Sequence, residues 1–129
     1  MASVIGNVVT TQLVDETDLA AGTYYYPSED DGMKVGRQTD LSLAFVLSGG
    51  VTLTLEAKTE EDDAVSSTWQ DITKAGFNIT NNSTGFASFV DISGIVDWDN
   101  LNVTAWRAKI VTSDSTNTVK VVSRQKAVS

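Results

Sequence analysis

An antiparallel β-sandwich of about eight to ten strands, jelly-roll-like in one of its possible forms, is the fold this sequence predicts. Three features predict it. Leu41, Leu43, Phe45 and Leu47 alternate with smaller residues, and beyond Ser48-Gly49-Gly50 the same period of two returns in Val51, Leu53, Leu55 and Ala57. Side chains two apart share one face of a strand, so this alternation marks pleated ribbon. Charged residues make up 20% and hydrophobic residues 41%, and the balance is filled largely by Thr, Ser, Asn and Gly, a composition that suits strands joined by turns. Turn-forming clusters recur at short intervals, and a single Pro leaves the ladders almost uninterrupted.

In chain order, Ser3 to Val14 is rich in Val, Thr and Ile and reads as a strand, although adjacent Val8 and Val9 break strict alternation. Residues 2–14 could also form an arm reaching a neighbour. Gly22 to Tyr26 is a short aromatic strand ended by Pro27, which cannot donate to a ladder. The acidic loops 28–32 and 59–63 offer carboxylate oxygens of the kind hard cations prefer, but without the ligand spacing of an EF-hand they read first as solvated loops. Both parities of the Leu41–Leu47 strand are largely apolar, which places it centrally. The Val51–Lys58 strand carries Thr52, Thr54, Glu56 and Lys58 on its other face and is half wet. Burying each Leu contributes about 1.5 to 3 kcal/mol against about 1 to 2 kcal/mol per residue of backbone ordering, so these two strands require a second sheet.

Ala64, Val65, Thr68, Trp69 and Ile72 recur at helical spacing before Gly76, which leaves room for one short helix between 64 and 76, against the β-branched residues there. Gly85 to Ile92 resumes as a strand. From Leu101 to Arg124 the pattern reads as strand, tight reversal and return strand. Within it the apolar phase jumps from Leu101, Val103 and Ala105 to Trp106, Ala108 and Ile110, as a β-bulge would cause. No fixed-period repeat or low-complexity linker divides the chain, so residues 1–129 are expected to form one domain with a basic C-terminal segment, 107–129.

The net charge of -8 argues against nucleic acid as a partner. The charge is unevenly spread. Arg107, Lys109, Lys120, Arg124 and Lys126 face only Asp114 in the last segment, while the first 106 residues hold four basic and sixteen acidic residues. Either the basic end meets an acidic partner, or it pairs with acidic neighbours in its own domain. No window approaches eighteen consecutive apolar residues, and MASVIGNVVTTQ lacks a basic segment followed by an apolar core, so neither a membrane span nor a secretory signal is expected.

The chain has no His and no Cys, which removes the usual nucleophile-base pairs, thiolate zinc sites and disulfides. Among Asp71, Asp91, Asp97 and Asp99 a glycosidase pair would need carboxyls roughly 5 to 9.5 Å apart. Solvated or capping roles are the simpler reading, so the chain is expected not to be an enzyme and to need no cofactor or metal. Ser48-Gly49-Gly50 lacks the Lys and helix of a phosphate loop. Trp69 and Trp106 read as packing residues, whereas Trp98, flanked by Asp97 and Asp99, is the candidate for stacking on a sugar.

The runs Thr68-Trp69-Gln-Asp71-Ile-Thr73, Leu101-x-Val103-x-x-Trp106-Arg107-x-Lys109 and Asn117-Thr118-Val119 resemble those of small accessory or decoration proteins of tailed bacteriophages, a likeness running from about Leu41 to the C-terminus. That resemblance implies a virion protein on the outside of a capsid, made in the host cytoplasm, often trimeric, whose partner is the major capsid protein. The candidate contacts on this reading are Val4, Ile5 and Val8 of the arm and Arg107, Lys109, Lys120, Arg124 and Lys126 of the basic segment. The alternative is a carbohydrate-binding module or tail-fibre tip that recognises a glycan through Trp98.

Overall fold

Every second side chain from Leu41 to Leu47 and from Val51 to Ala57 is buried, and the two series face each other from different sheets. The computed structural model describes residues 8–27, 32–34, 38–58, 69–101 and 103–127. Its strands are β1 (Val8–Thr17), β2 (Gly22–Tyr26), β3 (Met33–Lys34), β4 (Gln38–Ser48), β5 (Val51–Lys58) and β6 (Gln70–Asp71), followed by β7 (Phe77–Asn78), β8 (Ser83–Thr84), β9 (Phe89–Val90), β10 (Ser93–Trp98), β11 (Ala105–Thr112) and β12 (Thr118–Ala127). The first sheet runs β1-β12-β4-β10-β7-β8; the second runs β2-β11-β5-β6, with β3 added on β11 and β9 on β5. The fold is an all-β sandwich.

Four antiparallel pairs, β1 with β12, β2 with β11, β4 with β10 and β5 with β9, make a double ribbon of the chain folded back on itself. The ribbon rolls up until β12 also pairs with β4 and β11 with β5. This is the jelly-roll order. Its consequence is that strands adjacent in sequence mostly belong to different sheets. The Leu101–Arg124 reversal is accordingly no hairpin: β11 lies in the second sheet and β12 in the first. Nor does β11 carry a bulge, since it pairs with β5 residue for residue from Ala105 to Thr112. The phase jump marks where the strand begins, because Leu101 and Val103 precede it. Register shifts in this part of the fold lie instead in β1, between Gln12 and Val14, and at the end of β12, between Lys126 and Ala127; Val8 to Val14 of the expected arm pair with β12 of the same chain.

Four corners between sheets meet at one end, after β1, β4, β9 and β11. Gly49 and Gly50 turn the chain at φ 87° and 83°, a left-handed region glycine enters without strain. A Cβ on Gly49 would collide with the Thr116 carbonyl of the neighbouring corner. Asp91 Oδ1 accepts from the amides of Gly50 and Val51, both at 2.8 Å. Asn117, 5% exposed, ties two corners together. Its Oδ1 accepts from Leu19 N at 3.0 Å, and its Nδ2 donates to Leu19 O and Asp114 O, each at 2.8 Å.

Trp98 and Trp106 are the largest side chains in the core. Each finds a partner for its ring N–H, Trp98 donating to Ile72 O and Trp106 to Gln125 Oε1, both at 3.0 Å. The possible helix narrows to one 3-10 turn, Thr73–Ala75, since Gln70–Asp71 pairs with β5; residues 64–68 lie outside those described. The expected Gly85–Ile92 strand narrows to Phe89–Val90, the two residues that pair with Leu53 and Thr52 of β5, and Phe86 and Phe89 stack at 5.4 Å.

Asn117→Ala strips partners from the Leu19 and Asp114 backbone and should lower stability by about 2 to 4 kcal/mol, read from urea denaturation. Gly76→Ala should cost about 1 to 3 kcal/mol in the same assay, because its Cβ would fall 2.6 Å from Val96 Cγ1 and 2.7 Å from the Trp98 ring. Burial first, then Tyr24 and Glu16, hold the Tyr26 hydroxyl above its ordinary value of 10.0. The unfolded chain thus releases that proton first as pH rises, so stability should fall as pH rises past about 10 toward the raised value, and Tyr26→Phe should flatten part of the fall.

Candidate functional site

The outer face of the first sheet is the candidate site, and the register of its strands sets its layout. In β12, Val119, Val121, Ser123 and Gln125 are buried, so Lys120, Val122, Arg124 and Lys126 point outward. On β4 the outward residues are Asp40, Ser42, Ala44, Val46 and Ser48. On β10 they are Ser93, Ile95 and Asp97, with exposed Asp99 just beyond the strand. Cross-strand pairing puts Val122, Ala44 and Ile95 on one level and Arg124, Ser42 and Asp97 on the next.

The centre of this face is apolar. Val46 is 43% and Ile95 44% exposed, and with Ala44 and Val122 they line an open depression of about 550 Å³ bounded by Lys120 on the β12 side and Thr80 on the β10 side. Asn78 Oδ1 accepts from Thr80 N at 3.0 Å, and Thr80 Oγ1 accepts from Ile95 N at 2.9 Å, so the turn after β7 is fixed as a rim beside β10. Toward the other end of the strands, Arg124 and Lys126 share a second depression with Asp40, Asp97 and Asp99. Asp40 accepts from Asn100 N. Among the described residues neither Lys120, Arg124 nor Lys126 forms an ion pair within 4.0 Å.

The basic segment does not form one patch. Arg107 and Lys109 lie on β11 and face outward from the second sheet, on the opposite side of the sandwich from Lys120, Arg124 and Lys126. Arg107 is moreover occupied within the chain. Its Nε lies 2.8 Å from Glu56 Oε1, and its guanidinium stacks between Tyr25 at 4.1 Å and Trp69 at 4.2 Å. For this residue, pairing within the domain is what the structure shows. Val8, 45% exposed, stands at the open edge of the first sheet, opposite Lys126 in register. Val4 and Ile5 lie outside the described residues, as do Glu29 to Asp31 and residues 59–63 of the two acidic loops.

Trp98 offers no stacking face: it is 1% exposed, with Asp97 and Asp99 turned outward on either side. Asp71 Oδ1 accepts from both the amide and the hydroxyl of Thr73, at 2.9 and 2.6 Å, so it organises the 3-10 turn, as Asp91 organises a corner. No group of three potential metal ligands occurs among the described residues. Ala44, Val46, Ile95 and Val122 were not among the expected site residues, and Asp97 was considered only as a catalytic carboxylate. The second apolar parity of the Leu41–Leu47 strand is the signal that could have found Ala44 and Val46.

No protein-family model and no curated protein matches the chain. Among solved structures, the fold superposes on the SPBc2 prophage-derived protein YomS with a TM-score of 0.62 at 16% identity, over 98% of this chain and 99% of that one. Looser likenesses are to the Yersinia pseudotuberculosis-derived mitogen, with a TM-score of 0.43, 18% identity and coverage of 97% and 88%, and to a Bacillus endospore appendage protein, with 0.40, 13% identity and 100% and 96%. The YomS likeness establishes a shared fold, whereas a TM-score below 0.5 carries no argument.

Arg107→Ala should destabilise the protein by about 1 to 2 kcal/mol and shift Trp69 emission, since it removes a half-buried ion pair and two ring contacts. Arg124→Ala and Lys126→Ala should stay within about 0.5 kcal/mol of wild type in the same urea titration, because neither side chain is engaged within the chain.

Proposed function

We propose that this protein is a non-enzymatic structural protein of a phage-type particle, which decorates the outside of a capsid as a homo-oligomer and stabilises the shell by binding it. The observation that carries this reading is the outer face of the first sheet, where half-exposed Val46 and Ile95 lie beside three basic side chains unpaired within the chain. Exposed apolar surface bordered by charge is what protein docking requires. The carboxylates considered for catalysis support it further: Asp71 and Asp91 hold backbone amides, and Asp97 and Asp99 stand on an open face.

Attachment to the shell uses the free edge of β1. Val8 and Val9 are 45% and 40% exposed there, and among the described residues β1 pairs only with β12, so its other side presents main-chain groups to an added strand. The energetic logic is mass action. A protein that binds only the assembled shell stabilises it by about 2.7 kcal/mol per site at one hundred times its dissociation constant.

Purified protein mixed with undecorated capsids should cosediment saturably at micromolar concentration, and Val8→Asp combined with Val9→Asp should weaken binding tenfold or more. Wild-type protein that stays in the supernatant would rule the reading out.

A further inference from the structure

Two charged columns flank β4 on the outer face of the first sheet; β4 itself is uncharged on this face from Ser42 to Ser48 and carries Asp40 at the level of Lys126. Basic Arg124 and Lys126 stand on β12, acidic Asp97 and Asp99 on and just beyond β10, and Ser42, Ala44 and Val46 of β4 run between them. Neighbouring strands are about 4.8 Å apart, so the two columns are equally displaced to either side of β4. They are also level along the strands, because Ser42 pairs with Arg124 on one side and with Asp97 on the other. Ala44 pairs in the same way with Val122 and Ile95. At the Ser42 level opposite charges thus stand at matching positions about the line of β4, whereas Lys120, level with Val46, has Ser93 at its matching position.

We propose that this face binds a second copy of this chain, in a face-to-face pair whose two-fold axis runs along β4. The proposal rests on reading the protein as a homo-oligomeric assembly component. A half-turn about β4 exchanges the columns and keeps every level. Arg124 of each copy comes over Asp97 of the other, Val122 comes over Ile95, Ala44 meets Ala44, Lys120 comes over Ser93, and the two Asp40 side chains meet on the axis with a Lys126 on either side. Lys126 falls toward the end of β10, where Asp99 stands. Stacked sheets lie about 10 Å apart, a gap that an Arg and an Asp side chain span together.

The charges select this arrangement over its rivals. A two-fold axis running across the strands would set β12 on β12 and β10 on β10, bringing like charges together. A uniformly acidic partner would satisfy Arg124 and Lys126 while opposing Asp97 and Asp99, and a basic partner would do the reverse. A second copy complements both columns at once, as an isologous interface does. The contact is two-fold, whereas the phage-protein resemblance implies a trimer; the face matches itself only under a two-fold axis.

The test uses charge reversal in the full chain, read by sedimentation velocity. Wild type should form dimers. Arg124→Asp alone sets Asp against Asp97, and Asp97→Arg alone sets Arg against Arg124, so each variant should dimerise at least roughly tenfold more weakly. An equimolar mixture of the two single variants should recover the dimer, because each copy then supplies the charge the other lacks, and the double variant should recover it as well. Recovery on mixing also shows that both variants fold. Wild type that is monomeric up to its solubility limit, single variants that dimerise like wild type, or a mixture that stays monomeric would each overturn the pairing. Cosedimentation with capsids separates the two proposals: monomeric wild type that still binds capsids overturns the pairing alone, and a dimer that fails to bind them overturns the decoration reading alone.

Discussion

The rest of the structure depends on the opposition of two apolar rows, Leu41 to Leu47 and Val51 to Ala57, across the gap between the sheets. Only the Gly49-Gly50 corner separates them in sequence. A hairpin at that point would have laid the rows side by side in one sheet with their apolar faces still open to water. Carrying the chain across to the other sheet makes each row the cover of the other. The remaining strands then have fixed places, since β12 and β10 flank β4, and β11 and β9 flank β5. The density of corners at one end follows from the same choice. Asn117 and Asp91 sit where neighbouring corners must be held together, and each uses a short polar side chain to satisfy backbone that no ladder reaches.

Much of this was legible in the residues. The alternation in β4 and β5, the aromatic strand closed by Pro27 and the all-β composition appear in the structure as read, except that Lys58, read as part of the wet face of β5, is 1% exposed with its Nζ 5.1 Å from the Trp69 ring centre. What could not be read was the sheet to which each strand belongs. Ser113 to Asn117 carries turn chemistry that serves a corner between sheets as well as a hairpin, and local sequence does not separate the two. The burial of Trp98 was within reach, because the period of two places Val96 and Trp98 together and leaves Asp97 and Asp99 outside. The charged neighbours drew attention away from that period. The level match of Arg124 with Asp97 was out of reach, since it depends on how three strands far apart in sequence align through β4.

The two outer faces of the sandwich have different characters because they solve different problems. On the second sheet, Arg107 is stacked between Tyr25 and Trp69 and bound to Glu56, so its charge is already answered. On the first sheet, Arg124 and Asp97 stand two strands apart with Ser42 between them, and among the described residues neither Arg124 nor Lys126 forms an ion pair within 4.0 Å. One face thus has its charge paired within the sandwich and the other leaves it displayed beside half-exposed Val46 and Ile95.

The place of β12 between β1 and β4 has a consequence for how the molecule comes into being. Made from the N-terminal end onward, the chain emerges with β1 and β4 lacking their common neighbour until the final ten-residue strand appears. A growing chain therefore holds the other five strands of this sheet as two unjoined pieces, β1 alone and β4-β10-β7-β8, with open edges. Such intermediates invite pairing with other nascent chains, and long-range closure of this kind is slow. Synthesis of many copies on neighbouring ribosomes would place those edges close together, so a chaperone that shields them before release should matter more for this protein than for one whose neighbours in sequence are also neighbours in the sheet.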